Sequence, residues 1–238
     1  MYKSRKELKA LARTQMQGKY KTLIGAFVLQ EIITLLLESV MLSLFPSNSL
    51  VDNTLYFIAI FAVNAFLGTV VAGMTFISMS VACGMPCRAG DIYRSFQDNP
   101  GKAVWLQLPI VIIHTICTLP ASIMSIITPD EAYFSQLGVI LILNALGILA
   151  ATVLSLPFAL VFYMYWDFPE YDAKYILKRS FELMKGNYLR YLGLQISFLP
   201  LWILVVLSFG IGALWVTPYV NVTNANFYLD LMAKKNKE

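Results

Sequence analysis

The chain has 238 residues, 58% of them hydrophobic and only 13% charged, with eighteen Lys and Arg against fourteen Asp and Glu; an ordinary soluble domain carries roughly 25% charged residues. Its apolar runs leave too little chain for a soluble catalytic domain. A net charge of +4 is explained by orientation in a membrane and by an anionic leaflet, so no nucleic-acid partner is expected.

The first element is a short helix. Ser4 and Glu7 form a capping box, and Leu8, Leu11, Ala12 and Met16 recur at helical spacing. A cytoplasmic amphipathic helix is expected here, lying in the interface with its apolar side in lipid and its Lys/Arg toward headgroups.

The first span, residues 22–45, lacks the features of a cleavable signal peptide: some twenty residues precede it and no small-x-small site follows. It carries Glu31, Thr34 and Glu38 on one face. The second span, 54–85, contains Asn64 and small residues at Ala65, Thr69 and Gly73. The third, 103–127, contains His114. Glu31, Asn64 and His114 fall at similar depth.

Ionisable groups at that depth point to function. One reading is a proton- or cation-coupled site with Glu31 as carrier and His114 as relay. The other is helix–helix glue, with a neutral Glu31 hydrogen-bonded to Asn64 or His114. Glue is favoured, because transport sites use discontinuous helices. His114 with Cys117 cannot supply a tetrahedral metal site.

Residues 128–131, Thr-Pro-Asp-Glu, read as a capping box that starts the next helix before the fourth span, 137–166. That span carries small residues at Gly147, Ala151 and Ser155 and an aromatic belt at Tyr163, Tyr165 and Trp166. The fifth span is 189–207. The sixth, 211–232, is polar: Thr217, Asn221, Asn224 and Tyr228 follow i, i+4, i+7, i+11 along one side of a helix. Such a face needs protein or a hydrated cavity against it, and it is the leading candidate for the functional face.

All eighteen Lys and Arg lie within 3–21, 88–102, 174–190 and 234–237, while the alternate loops 46–53, 128–136 and 208–210 carry none. The positive-inside rule then places both termini in the cytoplasm with six spans, since five would put the C-terminal lysines outside. Arg94, Lys102, Arg179 and Lys185 are the candidates for binding anionic headgroups. Gly18, Gly101 and Gly186 each precede the entry to an odd-numbered span. They suggest three repeats (1–85, 86–168 and 169–238), each an amphipathic helix, a glycine break and a transmembrane hairpin. The expected fold is thus an all-α membrane protein in a single domain, 1–238, with six transmembrane helices as three hairpins.

No nucleophile elbow, phosphate-binding loop, His-Glu-x-x-His or Cys-x-x-Cys occurs, so neither catalysis nor a cofactor is expected. The run "SFELMKGNY" (180–188), the segment "GIGALWVTPYVNVTNANFYLDL" (210–231) and the pair Asp91 and Phe96 resemble the bacterial integral membrane family called domain of unknown function 975. The resemblance implies a six-span plasma-membrane protein, distantly like the membrane region attached to some glycerophosphodiester phosphodiesterases. It carries no catalytic residues with it. Three roles follow in order of expectation. The first is a non-catalytic module binding lipids, a membrane-protein partner or its own copies. The second is a transporter or accessory subunit using Glu31 and His114, and the third an intramembrane lipid-modifying enzyme.

Overall fold

A computed structural model describes residues 2–45 and 50–235. The expected outer turn at 46–49 and Lys237 lie outside the described residues. Within them the chain is helical with no strand: α1 Arg5–Met16, α2 Tyr20–Leu44, α3 Leu50–Phe66, α4 Gly68–Ala82, α5 Arg94–Asp98, α6 Pro100–Ile127, α7 Asp130–Leu154, α8 Val161–Asp167, α9 Ala173–Met184, α10 Tyr188–Ile196, α11 Leu199–Leu207 and α12 Ala213–Lys235. Single 3-10 turns, Ala89–Tyr93 and Leu156–Phe158, precede α5 and α8.

Among the described residues, five stretches are long and apolar enough to cross a membrane: Tyr20–Leu44, Val51–Ala82, Pro100–Ile127, Ala132–Leu154 and Tyr188–Leu207. Their outward faces are predominantly apolar, with a few exposed polar groups such as Glu31 and Asn144. Leu35 and Leu36 are 61% exposed, Leu149 63% and Val206 76%. Contiguous apolar surface of this extent is rare on soluble proteins and fits hydrocarbon, where helices satisfy their own backbone groups. The chain is therefore a multi-pass membrane protein. α12 does not reach that apolarity. Its 23 residues would measure about 34 Å at ~1.5 Å per residue.

The apolar stretches are not all continuous. The second breaks at Leu67, whose carbonyl accepts from both Val70 and Val71 N–H groups at 3.0 Å. The fifth breaks at Ser197–Phe198, before Pro200. The fourth ends at Leu154 rather than at Trp166, because Pro157 starts a tight turn at Leu156–Phe158 and α8 sets off afresh.

The core lies where α4, α8 and α12 converge. α4 is buried along nearly its whole length, α8 from Val161 to Tyr165, and α12 over most of Val216 to Leu231. Tyr163 stacks on Tyr228 with centroids 5.4 Å apart, and Trp166 Nε1 donates to the Ala72 carbonyl at 2.7 Å. The small residues of the second stretch serve contacts within the chain: a Cβ on Gly73 would lie 1.9 Å from the Ile92 carbonyl oxygen.

The short helices pack inward. Ser4 caps α1 as expected, accepting from Glu7 N–H at 3.3 Å while Glu7 Oε2 accepts from Ser4 N–H at 2.6 Å. Its apolar residues do not face lipid, however. Leu8, Ala12 and Met16 are buried against protein, with α12 and α4 as neighbours. Arg5 and Lys9 reach across to the carbonyls of Gly193 and Ser197. In α9 the buried residues are Ile176, Ser180 and Met184, and Phe181 points outward, 50% exposed.

The Ala89–Tyr93 turn packs on α2 and α4, and α9 on α6 and α8. Gly18 and Gly186 take positive φ, whereas Gly101 is helical and follows Asn99, whose Oδ1 caps Lys102 N–H at 3.0 Å. Thr128 closes α6 instead of capping α7: its hydroxyl donates to the Met124 carbonyl, and Pro129 is the cap residue.

Candidate functional site

α3 and α6 face each other across an open groove of about 390 Å³. Its polar side comes from α6. Gln107, His114, Thr115, Thr118 and Ser122 sit at i, i+7, i+8, i+11 and i+15, one stripe of a 3.6-residue helix. The stripe runs about 22 Å along the axis at ~1.5 Å per residue. Opposite it, α3 presents Phe57, Ile60, Phe61 and Asn64 at i, i+3, i+4, i+7. The groove narrows at the Leu67 break, where a Cβ on Gly68 would fall 2.5 Å from Gln107 Cβ.

The hydrogen bonding inside the groove is incomplete. Asn64 Nδ2 donates to the Ile60 carbonyl at 2.8 Å, Thr118 Oγ1 to the His114 carbonyl at 2.8 Å and Ser122 Oγ to the Thr118 carbonyl at 3.3 Å. Among the described residues, the Gln107 amide, the His114 ring and the Thr115 hydroxyl have no protein partner. All are half-buried within an apolar stretch. Unmade hydrogen bonds at hydrocarbon depth cost several kcal/mol each. The stripe therefore calls for a guest that donates and accepts.

Asn64 and His114, expected as isolated intramembrane polar groups, thus share one site. Glu31 and Glu38 do not line it. Glu31 is exposed on α2, where the Gln30 amide donates to it at 3.5 Å, and Glu38 is half-buried on the same helix. Gln107, Thr115, Thr118 and Ser122 were missed by reading ionisable residues alone. Their helical periodicity in the third span is the signal that finds them.

The polar side of α12 is largely turned to protein. Gln195 Nε2 donates to Asn224 Oδ1 at 2.9 Å, and the Tyr228 hydroxyl donates to Asp167 Oδ2 at 2.7 Å. Asn226, outside the expected stripe, exchanges hydrogen bonds with Gln15, and Arg13 Nε donates to the Tyr219 hydroxyl at 3.1 Å. Thr217 and Asn221 are half-buried, and the Asn221 carbonyl accepts from the Tyr163 hydroxyl at 3.4 Å.

The headgroup candidates are scattered. Lys102 is 8% exposed and spends its ammonium on the carbonyls of Phe168 and Pro169 at 3.4 and 2.9 Å. Arg179 pairs with Glu182 at 3.0 Å. Arg94 lies over the Phe76 ring at 4.4 Å, and Lys185 is exposed.

Residues 1–235 match the model of a family described as a protein of unknown function, DUF975. No curated protein and no solved structure matches the chain.

Proposed function

For a chain that belongs to the DUF975 family, whose description assigns no role, we propose that it is a non-catalytic membrane protein that holds the polar region of a lipid in the α3/α6 groove. The observation that carries this is the stripe of Gln107, His114 and Thr115, left without protein partners beside the apolar wall of Phe57, Ile60 and Phe61. A molecule that is hydrogen-bonding at one end and apolar along its length matches both walls. Among the described lining residues there is no carboxylate, thiol or ammonium. The guest region is accordingly uncharged, of the glycerol-ester or sugar-hydroxyl kind.

The reading extends to topology. α12 serves as a sixth span, and both termini lie in the cytoplasm of a bacterial plasma membrane, with the exposed lysines toward anionic headgroups. Three repeats are supported by the packing order: the Ala89–Tyr93 turn covers α2 and α4, α9 covers α6 and α8, and α1 covers α12. A distant likeness to the membrane region attached to some glycerophosphodiester phosphodiesterases, which the family resemblance implies, is part of the same lipid reading.

Photocross-linking tests the groove. A benzophenone amino acid replacing Phe61 should capture one lipid class enriched over the bulk membrane, and the same group replacing Leu149 should mirror the bulk. Equal lipid profiles at both positions would remove the site.

One observation favours a second reading. The Leu67 break lies beside Asn64 and Gln107, and transport sites favour discontinuous helices. A transporter or accessory subunit with such a site would show flux in proteoliposomes that Gln107→Leu and His114→Leu reduce; wild-type flux in both variants removes it.

A further inference from the structure

A second cavity, of about 580 Å³, opens where the last turn of α4, the short α5 and the ends of α8 and α12 meet. Its walls carry charges of both signs. Arg94 stacks on Phe76 at 4.4 Å and forms no ion pair with a carboxylate among the described residues. Asp98 lies one helical turn further along α5. Asp167 stands on α8 and accepts from the Tyr228 hydroxyl at 2.7 Å, which leaves its other oxygen open. Trp166, tilted against Phe76 with centroids 4.9 Å apart, forms the aromatic wall.

One polar atom in the wall has no counterpart. Ser80 is 1% exposed, and among the described residues its Oγ has no hydrogen-bond partner. Most Ser and Thr hydroxyls in the apolar stretches donate to a carbonyl of the preceding turn, as Ser78 Oγ does to Met74 at 2.9 Å. A buried hydroxyl left unpaired is destabilising, so a partner from within the cavity would relieve that penalty.

We infer that this cavity is a binding site for a small zwitterion bearing an anionic group and an ammonium. Arg94 offers a planar fork of donors to the anion, and Asp98 and Asp167 face the ammonium, which the rings of Phe76 and Trp166 also attract. Ser80 Oγ supplies a further hydrogen bond at the wall. One guanidinium against two carboxylates favours a ligand with an amine over a plain anion. The cavity lies at Ala82, the end of an apolar stretch, which is where lipid headgroups sit. A phosphate-and-ammonium headgroup and a free soluble zwitterion share the required chemistry. The site is separate from the α3/α6 groove and does not depend on it.

The test uses the full-length protein in nanodiscs containing phosphatidylethanolamine or phosphatidylglycerol, read by native mass spectrometry, with free phosphoethanolamine titrated separately. Arg94 and Asp98 are exposed on a five-residue helix, so Arg94→Gln and Asp98→Asn keep the fold, which unchanged melting verifies. Wild type should retain phosphatidylethanolamine at least tenfold over phosphatidylglycerol. Asp98→Asn should abolish that preference, and Arg94→Gln should weaken retention of both. Binding of free phosphoethanolamine as tight as that of the lipid assigns the site to a soluble zwitterion; binding of the lipid alone assigns it to a headgroup. Equal retention of the two lipids by wild type, or an undiminished preference in Asp98→Asn, overturns the inference.

Discussion

Gln15 and Asn226 face each other amide to amide. Asn226 Nδ2 donates to Gln15 Oε1 at 2.6 Å, and Gln15 Nε2 donates back to Asn226 Oδ1 at 3.2 Å. The pair joins the first helix to the last across 211 residues of sequence. Asn226 is 4% exposed; removing its partner leaves its buried Oδ1 without a donor, while Nδ2 keeps its bond to the Val222 carbonyl at 3.0 Å. Gln15→Leu should destabilise by about 1–3 kcal/mol. The double variant Gln15→Leu/Asn226→Leu should lose much less than the sum of the two single changes, since both partners are then apolar. Thermal unfolding in detergent measures each, and strict additivity would show that the pair is not coupled.

Close packing at Gly73 makes a sharper demand. A methyl there meets the Ile92 backbone oxygen at 1.9 Å, and a carbonyl held in a tight turn cannot step aside as a flexible side chain does. Gly73→Ala should cost at least about 2 kcal/mol, in the range of overpacked cores, which lowers Tm by roughly 4–8 °C for a chain of this size. Wild-type melting would mean that the Ala89–Tyr93 turn is not seated on α4.

The capping box of α1 carries a pH dependence. Two hydrogen bonds with Ser4 hold the Glu7 carboxyl below its usual value of 4.5. A depressed folded-state value stabilises at pH above the unfolded one, and that contribution disappears as pH falls through the folded value. Hydrogen exchange of the α1 amides should accelerate below pH 4.5 beyond the intrinsic trend. In Glu7→Gln, which keeps the acceptor without the charge, the extra acceleration should vanish. An identical pH profile in both proteins removes Glu7 as the cause.

The proposed topology places Val51 and Phe209 outside and Lys185 and Ala233 inside. Single cysteines at these four positions, with Cys83, Cys87 and Cys117 replaced by Ser, should divide cleanly. The first two should react with an impermeant maleimide in intact cells, and the last two only after permeabilisation. Labelling of positions 209 and 233 from the same side would mean that α12 does not span.

The five long apolar stretches were legible because hydropathy integrates over about 20 residues and is insensitive to local geometry. That same insensitivity hides the backbone breaks at Leu67, Leu156–Phe158 and Ser197–Phe198. Pro157 and Pro200 marked two of them, and Leu67 had only Gly68 beside it. Amphipathicity identified the apolar face of α1 but not its environment. A stripe of Leu8, Ala12 and Met16 looks the same against lipid as against α12. The polar side of α12 implied a protein neighbour without naming it, because Asp167 and Tyr228 are far apart in the chain.

The groove was half legible. Asn64 and His114 stand out singly in apolar runs, whereas Gln107, Thr115, Thr118 and Ser122 gain meaning only as a periodic stripe set against α3.

The central claim is that this stripe holds a lipid. In the Arg94→Gln background, which weakens the separate cavity beside α5, native mass spectrometry of protein released from nanodiscs should find one tightly retained lipid per chain. Gln107→Leu/His114→Leu should cut that retention at least tenfold with Tm unchanged, because neither side chain bonds to another part of the protein. A retained lipid of equal abundance in the double variant would contradict the account.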